Sequence, residues 1–279
     1  MPRRAMHQRE RFSLTQDVDE LAPIALVSPL LAAAGFRHAF FTRLGGVSQG
    51  SYESLNCSFS VGDVPHKVEQ NLTRVARYLD LDPLQIFWLT QVHGRQVRRI
   101  GSEELTDKIR QQEGDAIISR ARGLGCAVRV ADCVPVLLGE QVSGAVAAVH
   151  AGWRGVVRGV LSAAIQGLET DLARRGDWVA AIGPHISVEA FEVSPDVAES
   201  LRRASPAGAV LDHSLGPRPR ANLRRIVRAQ LEQLGVPGDQ VDDIPGCTFG
   251  QPQLFFSFRR DGPKSGRHLA AIVCRGPRA

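Results

Sequence analysis

Two short segments, Ala131-Asp132-Cys133-Val134-Pro135 and Val149-His150-Ala151-Gly152-Trp153-Arg154-Gly155, constrain the fold of this chain more than any other feature. They set a thiol and an imidazole at the outer ends of two apolar runs, 134–138 and 145–149. The turn-forming stretch Gly139-Glu140-Gln141-Val142-Ser143-Gly144 lies between the runs. A hairpin closed by Gly139 and Gly144 places Cys133 directly opposite His150. Opposed antiparallel residues hold their Cβ atoms about 4.5–5.5 Å apart, close enough to share one metal ion or to form a Cys–His dyad. Pro135 cannot donate to a ladder, so it marks an edge or a bulge, and a bulge shifts the register.

A third candidate ligand is His93, in Gln91-Val92-His93-Gly94 at the end of a β run. His93, Cys133 and His150 make a His₂Cys set. Zinc suits two imidazoles and a thiolate, and three protein ligands leave a fourth position open, the pattern of catalytic sites. A metal-free Cys–His dyad is the alternative that spacing leaves standing. Asp132, beside the thiol, is a candidate acceptor that orients a ligand. Asp115 reads as a turn residue. Arg43, in the glycine-rich loop Arg43-Leu44-Gly45-Gly46, and Arg154 are candidates for bidentate phosphate recognition. Gly45-Gly46 lacks the lysine and spacing of a phosphate-binding P-loop. His66, His213 and His268 have no partner at any meaningful spacing and read as solvent or core histidines.

The rest of the chain alternates short β runs with amphipathic helices. Val68, Leu72, Val75 and Leu79 recur at helical spacing within 64–81, and 155–172 and 221–234 read as further helices, the last capped by Asn222. Short β runs fall at 38–42, 86–89, 97–100, 115–119, 126–131, 178–182, 241–247, 254–258 and 269–274. No strict β-α-β rhythm exists, so the expected architecture is an α/β sandwich around a mixed β-sheet in a single domain. Residues 1–18 read as a frayed tail and 19–279 as one catalytic domain, with 205–220 the one linker-like stretch.

With 43% hydrophobic and 23% charged residues the chain supports a sizeable core. The net charge of +5 comes from scattered bases with no nucleic-acid recognition motif, so a pocket for an anionic substrate is the preferred explanation. Five cysteines with no C-x-x-C argue against a disulfide framework and for a reducing compartment. Asp17, Asp19 and Glu20 part the basic start from the apolar stretch 21–35, against the order of a signal peptide. The expectation is a cytoplasmic protein with no membrane or nucleic-acid partner and, with no surplus apolar helix face, a monomer.

The same residues carry a family resemblance. Phe40-Phe41-Thr42-Arg43-Leu44-Gly45-Gly46-Val47-Ser48, Tyr52-Glu53-Ser54-Leu55-Asn56, Val61-Gly62-Asp63, Gln91-Val92-His93-Gly94 and Gly114-Asp115-Ala116 open the series. The two segments around Cys133 and His150, Ile182-Gly183-Pro184, Phe191-Glu192-Val193 and Phe255-Phe256-Ser257-Phe258-Arg259-Arg260-Asp261-Gly262 complete it. In this order they resemble the multicopper polyphenol oxidase (laccase-domain) family, also called the peptidoglycan-editing factor family. The resemblance implies zinc on His93, Cys133 and His150 and an active-site arginine at Arg43. It makes Cys133, Arg43 and Asp132 the expected catalytic residues, and Arg43, Asn56 and Arg154 the expected contacts to a purine nucleoside and phosphate. The implied activities are phosphorolysis of purine nucleosides and methylthioadenosine, and deamination of adenosine. An amidase acting on peptidoglycan precursors is the alternative. Copper-dependent phenol oxidation, which would put Cu²⁺ in place of Zn²⁺, fits poorly with eight histidines and no H-x-H pair. Two positions depart from the family pattern: Phe258 where tyrosine is usual, and His185 where a cysteine or small residue is frequent.

Overall fold

The computed structural model describes residues 22–205, 211–212 and 218–277. The tail expected at 1–18, His213 and most of the linker-like stretch lie outside these residues. In chain order the elements are β1 (Ala25–Leu26), α1 (Pro29–Ala33), β2 (His38–Phe41), α2 (Pro65–Tyr78), β3 (Ile86–Phe87), β4 (Val97–Ile100) and α3 (Thr106–Arg110). There follow β5 (Ala116–Ser119), β6 (Gly125–Val130), β7 (Val134–Glu140), β8 (Val146–Ala151), α4 (Trp153–Arg158), α5 (Val160–Leu172) and β9 (Trp178–Ile182). The chain continues with α6 (Pro195–Ala204), β10 (Leu211–Asp212), β11 (Arg220–Ala221), α7 (Leu223–Gln233), β12 (Val241–Asp243), α8 (Phe258–Asp261) and β13 (His268–Val273).

The α/β class holds, with two mixed sheets at its centre. One runs β1-β2-β13-β6-β3 and the other β12-β9-β7-β8-β5-β4. Side-chain alternation along the strands builds the layers. From β7, Leu137 joins Phe40, Val128 and Ile272 of the other sheet in a core between the sheets. Val134, Val136 and Leu138 turn the opposite way, into a core shared with Val156 of α4, Leu161 and Ile165 of α5, Leu201 of α6 and Ile226 of α7. On the far side, Phe41, Ala127 and Leu269 of the five-stranded sheet meet Val68, Leu72 and Val75 of α2. The result is a four-layer α/β/β/α stack. Central strands buried on both faces explain the near-continuous apolar runs of β7 and β8.

Four local differences from the sequence expectations have physical causes. The hairpin pairs Pro135 with His150 and Gly139 with Val146, so Cys133 lies two places beyond the residue opposite His150. Gly144, at φ 73°, is part of the loop and not a closing strand residue. The shift is even, which leaves the alternation of faces unchanged. The helix expected over 155–172 is two helices, because Gly159 adopts φ 77° and ends α4. The β run expected at 254–258 is instead a turn entering α8, where the Ser257 hydroxyl accepts the Arg260 N–H at 3.2 Å. The run at 241–247 is a strand only to Asp243, as Pro245 and Gly246 follow. Among the described residues no helix is long and apolar enough to cross a membrane.

Candidate functional site

Two chain crossings between the sheets meet at one end of the stack. The first, from β3 to β4, carries His93 at φ 57°. The second, from β6 to β7, carries Cys133 after Asp132, which bends the chain at φ 94°. His150 sits near the end of β8, next to both. Left-handed backbone at non-glycine residues is uncommon and concentrates where geometry serves a site.

The ligand atoms of His93, Cys133 and His150 lie within 4.8 Å of one another. Cys133 Sγ is 3.8 Å from His93 Nε2, near the ~3.6 Å that separates ligands in a tetrahedral zinc site. The imidazoles cross edge to face at 4.8 Å. Asp115, on the loop entering β5, organises the group. Its Oδ1 accepts from His150 Nδ1 at 2.8 Å, and its carboxylate accepts the N–H groups of His93 at 2.9 Å and Gly94 at 2.6 Å. His150 is thus held with Nε2 as the available donor, the usual arrangement of a metal-ligating imidazole. Burial alone would raise the Asp115 carboxyl, but the His150 bond and the backbone N–H groups hold it below the ordinary range. Burial also raises the Cys133 thiol, and the two imidazoles outweigh it and bring the thiol down. For His150, burial is overcome by the Cys133 charge and the Asp115 bond, which raise it. A thiol poised to ionise is what a metal ligand requires.

Gly152 supplies a further test of fit. A Cβ there would lie 2.9 Å from His93 Cδ2 and 3.0 Å from Cys133 Sγ. The backbone has been kept bare where these two ligands converge. The three residues suit a metal ion in donor type and spacing.

They open onto a cavity of about 450 Å³, in the range that holds small-molecule ligands. Ile186, Phe191 and Phe258 give it an apolar wall; Arg129, Arg259 and Arg267 give it positive charge. The expected site residues divide around it. Asp132 lines the cavity, but its oxygens accept from Thr248 Oγ1 and the Arg259 N–H, both at 2.6 Å, so it fixes the α8 turn and orients no metal ligand. Arg43 is not among the lining residues. Its guanidinium donates to the carbonyls of Glu53 and Pro252 at 2.6 and 2.8 Å and covers the Phe256 ring. Asn56 is fully buried behind the wall, and Arg154 is exposed over Trp153. His185 is buried and donates from Nδ1 to Gly183, and burial keeps it neutral, at about 4. Sequence reasoning missed Asp115 as an orienting group and Arg129, Arg259 and Arg267 as cavity residues. The one signal for Asp115 was its place in Gly114-Asp115-Ala116.

A layered α/β fold carries a His₂Cys group that fits a metal cofactor and opens onto a ligand-sized cavity. The chain belongs to the family described as multi-copper polyphenol oxidoreductase laccase, whose model matches residues 37–275. It is 34% identical over 271 residues to a purine nucleoside phosphorylase of Bacteroides thetaiotaomicron, covering 94% of this chain and 98% of that protein. It is 36% identical over 234 residues to the purine nucleoside phosphorylase YfiH of Escherichia coli K12, covering 83% and 90%. The crystal structure of YlmD from Geobacillus stearothermophilus superposes with a TM-score of 0.85 at 29% identity, covering 94% and 98%. That of YfiH from Bacillus licheniformis gives 0.84 at 25%, with the same coverage. The family is one of enzymes.

Proposed function

We propose that the chain is a zinc-dependent purine nucleoside phosphorylase. The observation that carries this reading is the His93–Cys133–His150 group in a cavity lined by both apolar side chains and guanidiniums. The relatives named purine nucleoside phosphorylase support it. His93, Cys133 and His150 would hold the ion, and Asp115 would orient His150. Zinc bound there supplies Lewis-acid chemistry. Phe191, Phe258 and Ile186 would receive the flat purine, and arginine would hold phosphate. A phosphate oxygen forms the bond to ribose C1′, the bond from C1′ to the purine breaks, and its electron pair leaves with the base, which takes up a proton. Methylthioadenosine phosphorolysis and hydrolytic deamination of adenosine would use the same pocket.

The family's description as multi-copper oxidoreductases favours copper as a second reading. A His₂Cys copper centre typically adds a weak axial methionine. Two imidazoles and one thiolate with a fourth position open are the usual donors of catalytic zinc, which supports zinc over copper. The test is metal analysis of the purified protein with an assay for hypoxanthine release from inosine, with and without phosphate. One zinc per chain and phosphate-dependent release are expected, and Cys133→Ala should lose both. Stoichiometric zinc on Cys133→Ala, or release indifferent to phosphate, would overturn the assignment.

A further inference from the structure

Three guanidiniums line the cavity, and none forms an ion pair with a carboxylate among the described residues. Arg259 is exposed; Arg129 and Arg267 are part-buried. Buried charge without a counter-ion is costly and calls for an anion. The Arg129 guanidinium donates to the Leu89 carbonyl at 3.3 Å, and that of Arg267 donates to the carbonyls of Ser265 and Gly266 at 2.6 and 3.0 Å. Asp132 acts on Arg267 only at a distance, its oxygens being committed to Thr248 and the Arg259 backbone.

Both positions are built. The Gln91 amide brackets Arg129, donating to its carbonyl and accepting its N–H at 2.8 Å each, two residues before the ligand His93. Asn56 does the same between two segments distant in sequence. Its Oδ1 accepts the N–H of Ser58 at 3.1 Å and of Arg267 at 2.9 Å, while its Nδ2 donates to Ser58 O and Asp63. The hydroxyls of Ser58 and Ser60, 3.0 Å apart, line the same cavity.

We propose that Arg129 and Arg267, with the Ser58 and Ser60 hydroxyls, form the subsite that holds inorganic phosphate, and that Asn56 and Gln91 are its positioning residues. The inference rests on the phosphorylase reading and replaces Arg43 as the phosphate contact. A pair of fixed guanidiniums flanked by hydroxyls matches the fork geometry and multiple oxygens of phosphate. Burial lowers Arg129, to about 10, with Arg110 and Arg267 adding to the fall; it stays charged at neutral pH and gains most from a bound anion. Arg129 and Arg267 line the same cavity as His93, Cys133 and His150, which sets the subsite beside the proposed metal ligands.

The experiment is calorimetric titration of inorganic phosphate into the zinc-loaded full chain, paired with the phosphate KM for inosine. Arg129→Ala and Arg267→Ala should each weaken phosphate binding by about 30-fold and raise the phosphate KM in proportion, the cost of losing one charged hydrogen-bonding partner. The nucleoside KM should hardly move. Arg267→Lys should recover little, and Arg43→Ala should bind phosphate like the wild type. Unchanged phosphate affinity in both alanine variants, or a loss confined to Arg43→Ala, would overturn the subsite. If the arginine variants do not fold, Ser60→Ala, at an exposed position, decides: about threefold weaker phosphate binding supports the subsite, and no change overturns it. Wild-type protein that binds phosphate through these arginines yet releases no hypoxanthine would sink the phosphorylase reading and support the subsite. Phosphorolysis that survives both alanine variants would do the reverse.

Discussion

Histidine does opposite work in the five-stranded sheet and at the seam between the sheets. His38 on β2 and His268 on β13 are backbone staples. His268 Nε2 accepts the Phe256 N–H at 2.7 Å and its Nδ1 donates to Val130 at 3.1 Å; His38 Nε2 accepts from Ser28 at 2.7 Å and its Nδ1 donates to Phe36 at 2.9 Å. A backbone N–H can only donate, so each ring is neutral with the proton on Nδ1. Burial depresses both, His268 to about 3. His150 is equally buried but faces a carboxylate and a thiol, and there the charged form is favoured. What a histidine does is set by the groups that meet its two nitrogens, and those come from distant parts of the chain.

The sharpest way to break this division is His268→Ala. It strands a buried carbonyl at Val130 and a buried N–H at Phe256, at a cost of about 3 kcal/mol in a denaturant melt. Zinc content should stay at one per chain; loss of zinc would show that staple and ligand sets are not separate. Asp115→Asn probes the other region. It should weaken zinc by about 10–100-fold in a chelator competition, because His150 loses its orienting carboxylate. Unchanged affinity would mean that the orientation is fixed by packing alone.

Acid titration gives the smallest and most diagnostic effect. The staples have folded-state pKa values below the ~6.5 of an unfolded histidine, so the unfolded state binds more protons as pH falls. Their contribution is complete above that value and is lost progressively as pH falls, toward about 3 for His268. At pH 6 the loss should be about 1 kcal/mol per histidine in metal-free protein, and shallower in His268→Ala. An acid dependence as steep in His268→Ala as in the wild type would contradict a neutral staple at His268.

Legibility in the sequence follows the same line between local and distant. Helix and strand periods are local, so α7, β4 and β9 were readable within two residues and α2 within three. The break at Gly159 was not, since glycine is also tolerated inside helices. His93, Cys133 and His150 stood out through the small and special residues around them. Their register did not, because loop length and not glycine position sets the pairing. Arg43 looked like a ligand-binding arginine from its glycine-rich loop, yet Glu53 and Pro252, one of them far away in sequence, claim its hydrogen bonds. Arg129 on β6 and Arg267 just before β13 have no motif of their own, and only the pairing of these two strands, far apart in sequence, brings them to one cavity.

His93 leaves the five-stranded sheet, His150 belongs to the six-stranded sheet, and Cys133 lies on the crossing between them. An ion on these three residues would act as a cross-link between the two sheets, whose shared core is apolar. Its binding energy would then enter the unfolding free energy and grow with the logarithm of free metal concentration. Amide exchange in β6 and β8, one strand from each sheet, should slow together on loading, because opening either sheet at that end would first require releasing the ion.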